Sequence, residues 1–278
     1  MGIKSFKAVL NNFNSRQALL AFNVQNIYHL AALCELSNQE NIPIIAQFSV
    51  RYIKLFDVVY GLENIVNRYK KGQVFFHLDH CKEFDVLEKC VKANFDGIMY
   101  DGSDLDLKEN IYNTLMAKRL TENSNCLLEG EVGRIGGEED GIVGNVNLVN
   151  VDDALLYYNE TNVDILALGI GNAHGVYKDT SVVDVSILKK FNDRIGKKLP
   201  LVLHGTSGLN DKIVHEAITY GVRKINFSTD LKVASISFNQ SYFIGKTVFD
   251  ETSYFKEYTL YLKEFYHNHI KKYSILCI

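Results

Sequence analysis

The sequence predicts one α/β domain folded as a TIM (β/α)8 barrel, and three observations support this prediction. The chain has 278 residues, of which 47% are hydrophobic and 23% charged, enough to bury one large core. Eight short apolar runs alternate with amphipathic stretches. No G-x-G-x-x-G pattern follows the first run, which argues against an open doubly wound sheet. We therefore expect a single domain over residues 1–278, with divergent C-terminal helices over 232–278.

The eight apolar runs are predicted to be buried parallel strands. In chain order they cover residues 17–22, 42–48, 73–78, 95–100, 126–132, 163–168, 199–204 and 222–227. Helical patterns lie between them, over residues 85–93, 107–120, 151–160 and 210–221. The last helix has Asn210 as its predicted N-cap and Gly221 as its stop. Strand and helix thus alternate as this barrel requires.

Charge and cysteine content exclude several classes of partner. The net charge is −3 and the basic residues are scattered, so no surface for nucleic acid or an anionic membrane is expected. No run of about 18 apolar residues is present, so no membrane-spanning helix is predicted. The five cysteines are odd in number and form no C-x-x-C pair, which argues against disulfides and a cysteine zinc site. We expect a cytoplasmic protein with a small-molecule partner.

Polar residues cluster at the C-terminal ends of the predicted strands, where TIM barrels place their active sites. They are Asn23, Ser49, Asp79, His80, Asp101, Glu129, Glu131, His174, His204 and Asn226. Four of the eight histidines lie at these strand ends or in the loops after them, and the other four lie in predicted helices. One mouth of the barrel is therefore the predicted active site.

Three histidines at separate strand ends predict a divalent metal site. His80, His174 and His204 could supply three protein ligands and leave one position open, the usual arrangement of catalytic zinc. Any one of them alone would more simply be an ordinary core or rim histidine. His77 shares a strand face with Asp79, whereas His80 is expected beyond the pleat. Zinc is the expected metal.

Two further patterns lie in predicted loops. Residues 131–141, EVGRIGGEEDG, hold four glycines and four carboxylates, which suits either an acidic surface turn or a mobile loop that carries a general base. Residues 204–208, HGTSG, and 226–230, NFSTD, combine glycines and hydroxyls at predicted helix starts. Such loops hold phosphate after the last strands of TIM barrels, although Ser-Thr-Asp is also an ordinary N-cap cluster.

Seven segments, taken in order, resemble the class II, metal-dependent ketose-bisphosphate aldolases. They are AFNVQN, HLDH, YDGS, EGEVGRIGGEEDG, GIGNAHGVY, LVLHGTSG and KINFSTDLK, and they span roughly residues 5 to 235. The resemblance implies a zinc-dependent lyase that reversibly cleaves fructose 1,6-bisphosphate into dihydroxyacetone phosphate and glyceraldehyde 3-phosphate. It further implies a monovalent cation, Na⁺ or K⁺, held by backbone carbonyls, and a homodimer or homotetramer.

The resemblance also implies roles for individual residues. The implied metal site has His80, His174 and His204 as ligands, with Glu131 and Asp101 as carboxylates near the metal or its alternative position. Asp79 resembles the acid/base acting on the C4 hydroxyl, and Glu139 resembles the group that exchanges the proton on the dihydroxyacetone phosphate carbon. Asn226 is a further expected catalytic residue. The expected substrate and phosphate contacts are Asn23, Ser49, Gly175, Gly205, Ser207, Asn226, Ser228 and Thr229.

Two segments depart from the family pattern. Val50, Arg51 and Tyr52 follow QFS where the family commonly has small residues, and Arg51 is a candidate for the distal phosphate. The tail from Ala234 is crowded with tyrosine and phenylalanine, for which helix packing or a dimer face is favoured over a ligand role. Cleavage of tagatose 1,6-bisphosphate, an inactive sugar-phosphate binding protein and, more weakly, an unrelated zinc hydrolase remain open alternatives.

Overall fold

Eight parallel strands close into a barrel in the computed structural model of this chain. It describes residues 5–12, 17–139, 142–144, 148–175, 182–196 and 199–273, with only the backbone for 137–139 and 142–144. The strands are β1 Leu19–Asn23, β2 Ile44–Ser49, β3 Val74–Cys81, β4 Gly97–Tyr100, β5 Leu127–Val132, β6 Gly136–Glu139, β7 Ile142–Gly144, β8 Ile165–Leu168, β9 Ala173–His174, β10 Leu201–Leu203 and β11 Val222–Phe227. The closed barrel runs β1-β2-β3-β4-β5-β8-β10-β11, and β11 pairs with β1. The predicted TIM barrel is confirmed, with strand ends displaced by at most three residues.

Apart from the first helix, which precedes β1, the described helices follow barrel strands along the chain and cover their outer faces. They are α1 Phe6–Asn12, α2 Ile27–Glu40, α3 Val50–Tyr60, α4 Leu62–Tyr69, α5 Phe84–Lys92, α6 Leu107–Thr121, α7 Val151–Thr161, α8 Ser186–Ile195, α9 Asp211–Thr219, α10 Thr229–Phe243 and α11 Glu251–Tyr273. The predicted N-cap of α9 is confirmed, because the Asn210 side chain accepts a hydrogen bond from the Lys212 amide at 2.9 Å. None of the described helices is both long and apolar enough to cross a membrane.

The interior of the barrel has its own apolar cluster, separate from the larger core between strands and helices. It contains Phe6, Val9, Leu10, Leu19, Ala21, Ile45, Phe75, Leu127, Ile165, Ala167 and Val202. Three of these come from α1, and Phe6 stacks on Phe75 with ring centroids 5.1 Å apart. The helix therefore closes the barrel from below, and the polar strand ends are left at the opposite mouth.

The predicted loop at residues 131–141 contains a strand instead. β6 pairs antiparallel with β7 and parallel with β9, so that Gly137 lies opposite His174 in the register. Backbone hydrogen bonds to β9 hold this segment extended, which the glycine content did not indicate. The small sheet therefore brings the start of the acidic segment next to one of the predicted metal ligands.

The C-terminal helix α11 packs on the barrel through one stripe. Tyr258, Leu262, Tyr266, Ile270 and Tyr273 recur at helical spacing and are all buried. Phe22 of β1 contacts Tyr266 with ring centroids 4.8 Å apart. Helix packing, the favoured interpretation of these aromatic residues, is confirmed for this stripe.

Candidate active site and metal centre

A bulge at the end of β3 places two consecutive residues at the barrel mouth. Pairing of β3 with β4 shifts its register between Leu78 and Cys81, and His80 has a φ of 39°, in the left-handed region. In a regular strand Asp79 and His80 would point to opposite faces. The bulge instead turns His80 back, so that its Nε2 lies 3.9 Å from Asp79 Oδ1. His80 therefore departs from the regular pleat, as expected, and the reason is its left-handed backbone conformation.

The three predicted metal-binding histidines converge on one point. His80 Nε2 lies 3.0 Å from His204 Nδ1. The ring centroids of His80 and His174 are 5.0 Å apart, and those of His174 and His204 are 6.1 Å apart. One ring nitrogen from each of the three histidines lies within 4.8 Å of the other two. Ligand atoms from three separate strand ends or loops therefore surround a single position.

Carboxylates behind two of these rings determine which nitrogens face the site. His80 Nδ1 lies 2.8 Å from Asp101 Oδ2, and His204 Nε2 lies 2.8 Å from Glu129 Oε1. A carboxylate accepts, so the protons lie on those nitrogens. In neutral rings His80 Nε2 and His204 Nδ1 then carry lone pairs that face each other, and Asn226 Nδ2 lies 3.0 Å from the second nitrogen. A metal cation would bind both lone pairs. The donor set fits a divalent metal held by imidazole ligands.

A second group of potential ligands shares His80. His80, Asp101 and Glu131 have ligand atoms within 4.8 Å of one another. Glu131 Oε2 is buried, has no hydrogen-bond partner among the described residues, and lies 3.8 Å from His80 Nδ1. A buried carboxylate oxygen without a donor is costly, and a cation would remove that cost. The two groups together fit a metal with two adjacent positions.

The electrostatics of this cluster favour positive charge. Burial opposes the charged form of His80, but Asp79, Asp101 and Glu131 outweigh it and raise its pKa well above the usual value. Burial and the Asp101 carboxylate raise the pKa of Glu131 well above its usual range. Burial, with the charge on His80, lowers the pKa of His204 to about 4. Carboxylates crowded in low dielectric therefore attract a cation, whether a proton or a metal.

Asp79 is held by amides. Its Oδ2 accepts a hydrogen bond from Asn23 Nδ2 at 2.8 Å, and its Oδ1 accepts one from Asn226 Nδ2 at 3.4 Å. Gln47 Nε2 in turn donates to Asn23 Oδ1 at 3.0 Å. The carboxylate is only 2% exposed, yet its contacts leave it facing the cavity beside the histidines. Hydrogen bonds on both oxygens therefore fix the orientation of this carboxylate.

A cavity at the same mouth collects most of the predicted phosphate contacts. It is lined by Asn23, Asp79, His174, Gly175, Gly205, Thr206, Ser207, Asn226, Ser228 and Thr229. Gly205 has a φ of 61°, and a Cβ there would lie 2.3 Å from the Ala173 carbonyl oxygen. Only glycine fits such an approach of two loops. The N-terminus of α10 begins at Thr229, so backbone N–H groups and hydroxyls meet in one pocket.

Comparison with known proteins agrees with this geometry. The family described as "Fructose-bisphosphate aldolase class-II" matches residues 4–275, which includes most of the divergent tail. The chain belongs to that family. A fructose-bisphosphate aldolase of Ureaplasma parvum is 35% identical over 240 residues, covering 84% of this chain and 81% of the relative.

Two further relatives bear on fold and on substrate. A 6-phospho-5-dehydro-2-deoxy-D-gluconate aldolase of Halalkalibacterium halodurans is 30% identical over 236 residues, covering 83% of this chain and 81% of that protein. A crystal structure described as a putative fructose-1,6-biphosphate aldolase from Coccidioides immitis superimposes with a TM-score of 0.83 at 22% identity, covering 96% and 94% of the two chains. That structure supports the fold, and the curated relatives of this aldolase family are named for more than one sugar.

Ser49 and Arg51, both considered for substrate contacts, are not among the residues that line the cavity at the barrel mouth. Ser49 ends β2 and is partly buried at the N-cap position of α3. Arg51 is exposed in the first turn of α3, with its guanidinium carbon 5.8 Å from the centroid of the Tyr52 ring. The side chain of Glu139 lies outside the described part of the structure, although its backbone belongs to β6.

The partners that orient the aldolase site match no motif in the sequence. Glu129 is predicted only as a polar strand end, and nothing in the motifs distinguishes Gln47 and Lys224. Each lies in a buried apolar run, two residues before Glu131, Ser49 and Asn226 respectively. Polar residues repeated at i and i+2 in a buried strand share the barrel interior, and this alternation was the available signal.

Proposed function

We propose that this chain is a zinc-dependent aldolase that reversibly cleaves fructose 1,6-bisphosphate into dihydroxyacetone phosphate and glyceraldehyde 3-phosphate. The observation that carries the proposal is the convergence of Asp79, three histidine ring nitrogens and the glycine-rich pocket at one barrel mouth. Membership of the class-II family supports the same reaction. A zinc hydrolase would use the histidines but not the phosphate pocket.

Different residues of the chain are assigned to binding zinc and phosphate and to proton transfer. His80, His174 and His204 would hold zinc, with Asp101 and Glu131 at its alternative position. Zinc, when bound, supplies Lewis-acid polarisation of the substrate ketone, worth several kcal/mol. The pocket of Gly175, Gly205, Ser207, Ser228 and Thr229 would hold the phosphate of the dihydroxyacetone half.

Proton transfer is assigned to Asp79 and Glu139. Asp79 accepts the proton of the C4 hydroxyl as the C3–C4 bond breaks, so that C4 leaves as an aldehyde and the bonding electron pair stays with the ketone half. Glu139 then supplies the proton that this half needs at C3. Asn23 and Asn226 orient the Asp79 carboxylate through the hydrogen bonds described above. The proton balance closes because one proton is taken from oxygen and one is returned to carbon.

The remaining partners extend the same proposal. Ser49 and Arg51, at the start of α3, are assigned to the distal phosphate end of the sugar. A monovalent cation, Na⁺ or K⁺, would bind backbone carbonyls near the phosphate pocket. The active form is a homodimer or homotetramer in a reducing cytoplasm, which the free thiols of Cys34, Cys81, Cys90 and Cys126 support.

A second candidate substrate has specific support. The Halalkalibacterium halodurans relative named for 6-phospho-5-dehydro-2-deoxy-D-gluconate is nearly as similar as those named for fructose bisphosphate. Its substrate carries one phosphate, so a site without a distal phosphate contact would favour it. Tagatose 1,6-bisphosphate, the C4 epimer, would differ at the hydroxyl facing Asp79.

The deciding experiment is an assay for dihydroxyacetone phosphate with all three sugars. The purified protein is stripped with a chelator, then restored with zinc, and compared with Asp79→Asn. We expect zinc-restored cleavage that is fastest with fructose 1,6-bisphosphate. Asp79→Asn should lower kcat by about 10² to 10⁴-fold, because a positioned base contributes that much. Zinc affinity should be retained in the variant, since Asp79 is not among the three proposed ligands.

Other outcomes of this assay would redirect the proposal. Faster cleavage of one of the other two sugars would replace the substrate but keep the reaction. No cleavage of any sugar by a folded, zinc-loaded protein would leave an inactive sugar-phosphate binding protein as the function.

A further inference from the structure

A layer of charged residues lies inside the barrel directly beneath the proposed metal site. Lys224 and Glu129 are both 0% exposed, and His77 lies beside them, also fully buried. They precede Asn226, Glu131 and Asp79 by two residues on their strands, so they share the inward face one level lower. The proposed reaction gives this layer no task.

The contacts of Glu129 connect this layer to a metal ligand. Its Oε2 accepts from Lys224 Nζ at 2.8 Å and lies 3.2 Å from His77 Nε2. Its Oε1 lies 2.8 Å from His204 Nε2. The two carboxylate oxygens therefore contact different residues, and rotation of the group would break the contacts on both sides. The contact of Lys224 with Oε2 keeps Oε1 directed at His204.

Stability alone gives little reason for charges in this position. Removing an ammonium and a carboxylate from water costs free energy that apolar side chains of similar volume avoid. The apolar cluster immediately below, with Leu127 and Val202, shows that the barrel interior accepts such side chains. The charged pair instead supplies direction, because hydrogen bonds between charged groups have a defined geometry.

We propose that Lys224 is a positioning residue for metal binding: it fixes Glu129, and Glu129 fixes the ring of His204 with its Nδ1 lone pair facing the metal. This inference rests on the proposed metal site. Asp101 orients His80 as Glu129 orients His204, but Asp101 lies at the rim of the barrel with 14% side-chain exposure. Glu129 and Lys224 lie in the closed interior. Metal-bound histidines are commonly oriented by such outer partners.

The test measures zinc affinity rather than turnover. Lys224→Met, Glu129→Gln and the double variant are titrated with zinc against a chromophoric chelator at neutral pH. We expect each single change to weaken zinc binding by about 10 to 100-fold, the usual effect of losing an outer partner. The zinc Kd of the double variant should not exceed the higher Kd of the two single variants, because both changes interrupt the same chain of contacts.

A matched control separates positioning from loss of stability. Leu127 lies inward on β5, two residues before Glu129, and belongs to the apolar cluster. Leu127→Ala should lower Tm but leave the zinc Kd within about twofold of the wild type, because it removes packing and no outer partner. The absorption spectrum of the cobalt-substituted protein should change in Lys224→Met and stay unchanged in Leu127→Ala.

The zinc Kd, the cobalt spectrum and Tm together distinguish a positioning role of Lys224 from a purely structural one. If Lys224→Met lowers Tm while the zinc Kd and the cobalt spectrum remain those of the wild type, Lys224 is structural and the inference is overturned. If either single variant does not fold, the double variant, which leaves no unpaired buried charge, carries the test, and a wild-type zinc Kd in it overturns the inference. Wild-type protein that binds no zinc would overturn the proposed function as well.

Discussion

His80 shows how one backbone irregularity makes adjacent residues act together. Its φ of 39° lies in the left-handed region, which is rare for residues other than glycine and costs about 1–3 kcal/mol. The register shift in β3 lets Asp79 and His80 face the same mouth. The proposed metal ligand and the proposed base are thereby held next to each other, because they are consecutive residues of the chain. The strain is of the kind that active sites retain because the surrounding contacts enforce it.

Arg51 carries a residue-scale prediction about substrate size. Arg51→Ala should raise KM for fructose 1,6-bisphosphate about tenfold or more with little change in kcat, since a charge-assisted hydrogen bond contributes about 1.5–3 kcal/mol. Steady-state kinetics measure this. Arg68→Ala is the matched control, because Arg68 is also exposed and also lies over its neighbouring tyrosine, 5.6 Å from the Tyr69 centroid. An unchanged KM in Arg51→Ala would remove Arg51 from the distal phosphate.

At the scale of elements, His29 joins α2 to both C-terminal helices. His29 Nε2 lies 2.7 Å from Tyr258 Oη of α11 and 3.1 Å from Ser235 Oγ of α10. Tyr266 Oη donates to the His29 carbonyl at 3.2 Å. The C-terminal helix is therefore held by directed hydrogen bonds as well as by its aromatic stripe. Since α2 follows β1, this contact also supports the strand that carries Asn23.

This junction should make folding stability depend on pH. Burial lowers the pKa of His29 from 6.5 to about 4, so the unfolded chain binds the proton more tightly. Its contribution is complete above pH 6.5 and is lost as pH falls toward 4, by about 3 kcal/mol in total. Denaturant unfolding at several pH values should show a shallower loss in His29→Gln than in the wild type. Equal slopes between pH 6.5 and 4 would contradict this.

At the scale of the whole molecule, the barrel separates stability from chemistry along its axis. The lower end is closed by α1 and an apolar cluster, the middle holds the Lys224–Glu129 layer, and the upper mouth holds the proposed metal and phosphate sites. Such a division is a general property of TIM barrels, in which the loops at one end carry the function.

The division predicts the effect of changes in α1. Leu10 is 1% exposed in the interior cluster, and Leu10→Ala should lower the free energy of unfolding by about 2–5 kcal/mol. The zinc Kd and kcat of the folded protein should not change, because the site lies at the other end. Lys7→Ala on the same helix removes only an exposed ion pair with Asp164 and should cost at most about 1 kcal/mol. A large loss of kcat in folded Leu10→Ala would show that the two ends are coupled.

The barrel, the mouth that carries the site and the residues grouped there are all predictable from local patterns in the sequence. Apolar repeats with periods of 2 and 3.6 residues are local patterns that identify strands and helices. Because active sites of TIM barrels follow the strand ends, these assignments also locate the active-site residues. His80, His174 and His204 were identifiable for this reason.

The partners that orient those residues depend on contacts between strands that are distant in the chain. Glu129 contacts Lys224, 95 positions away in the sequence, and His204, 75 positions away. Such contacts depend on the register between strands that are distant in the chain. The bulge at His80, the strand pairing of β6 and the docking of α1 and α11 likewise arise from contacts between distant segments. Local periodicity carries no information about register between strands, and the free energy of these contacts exists only once the barrel has closed.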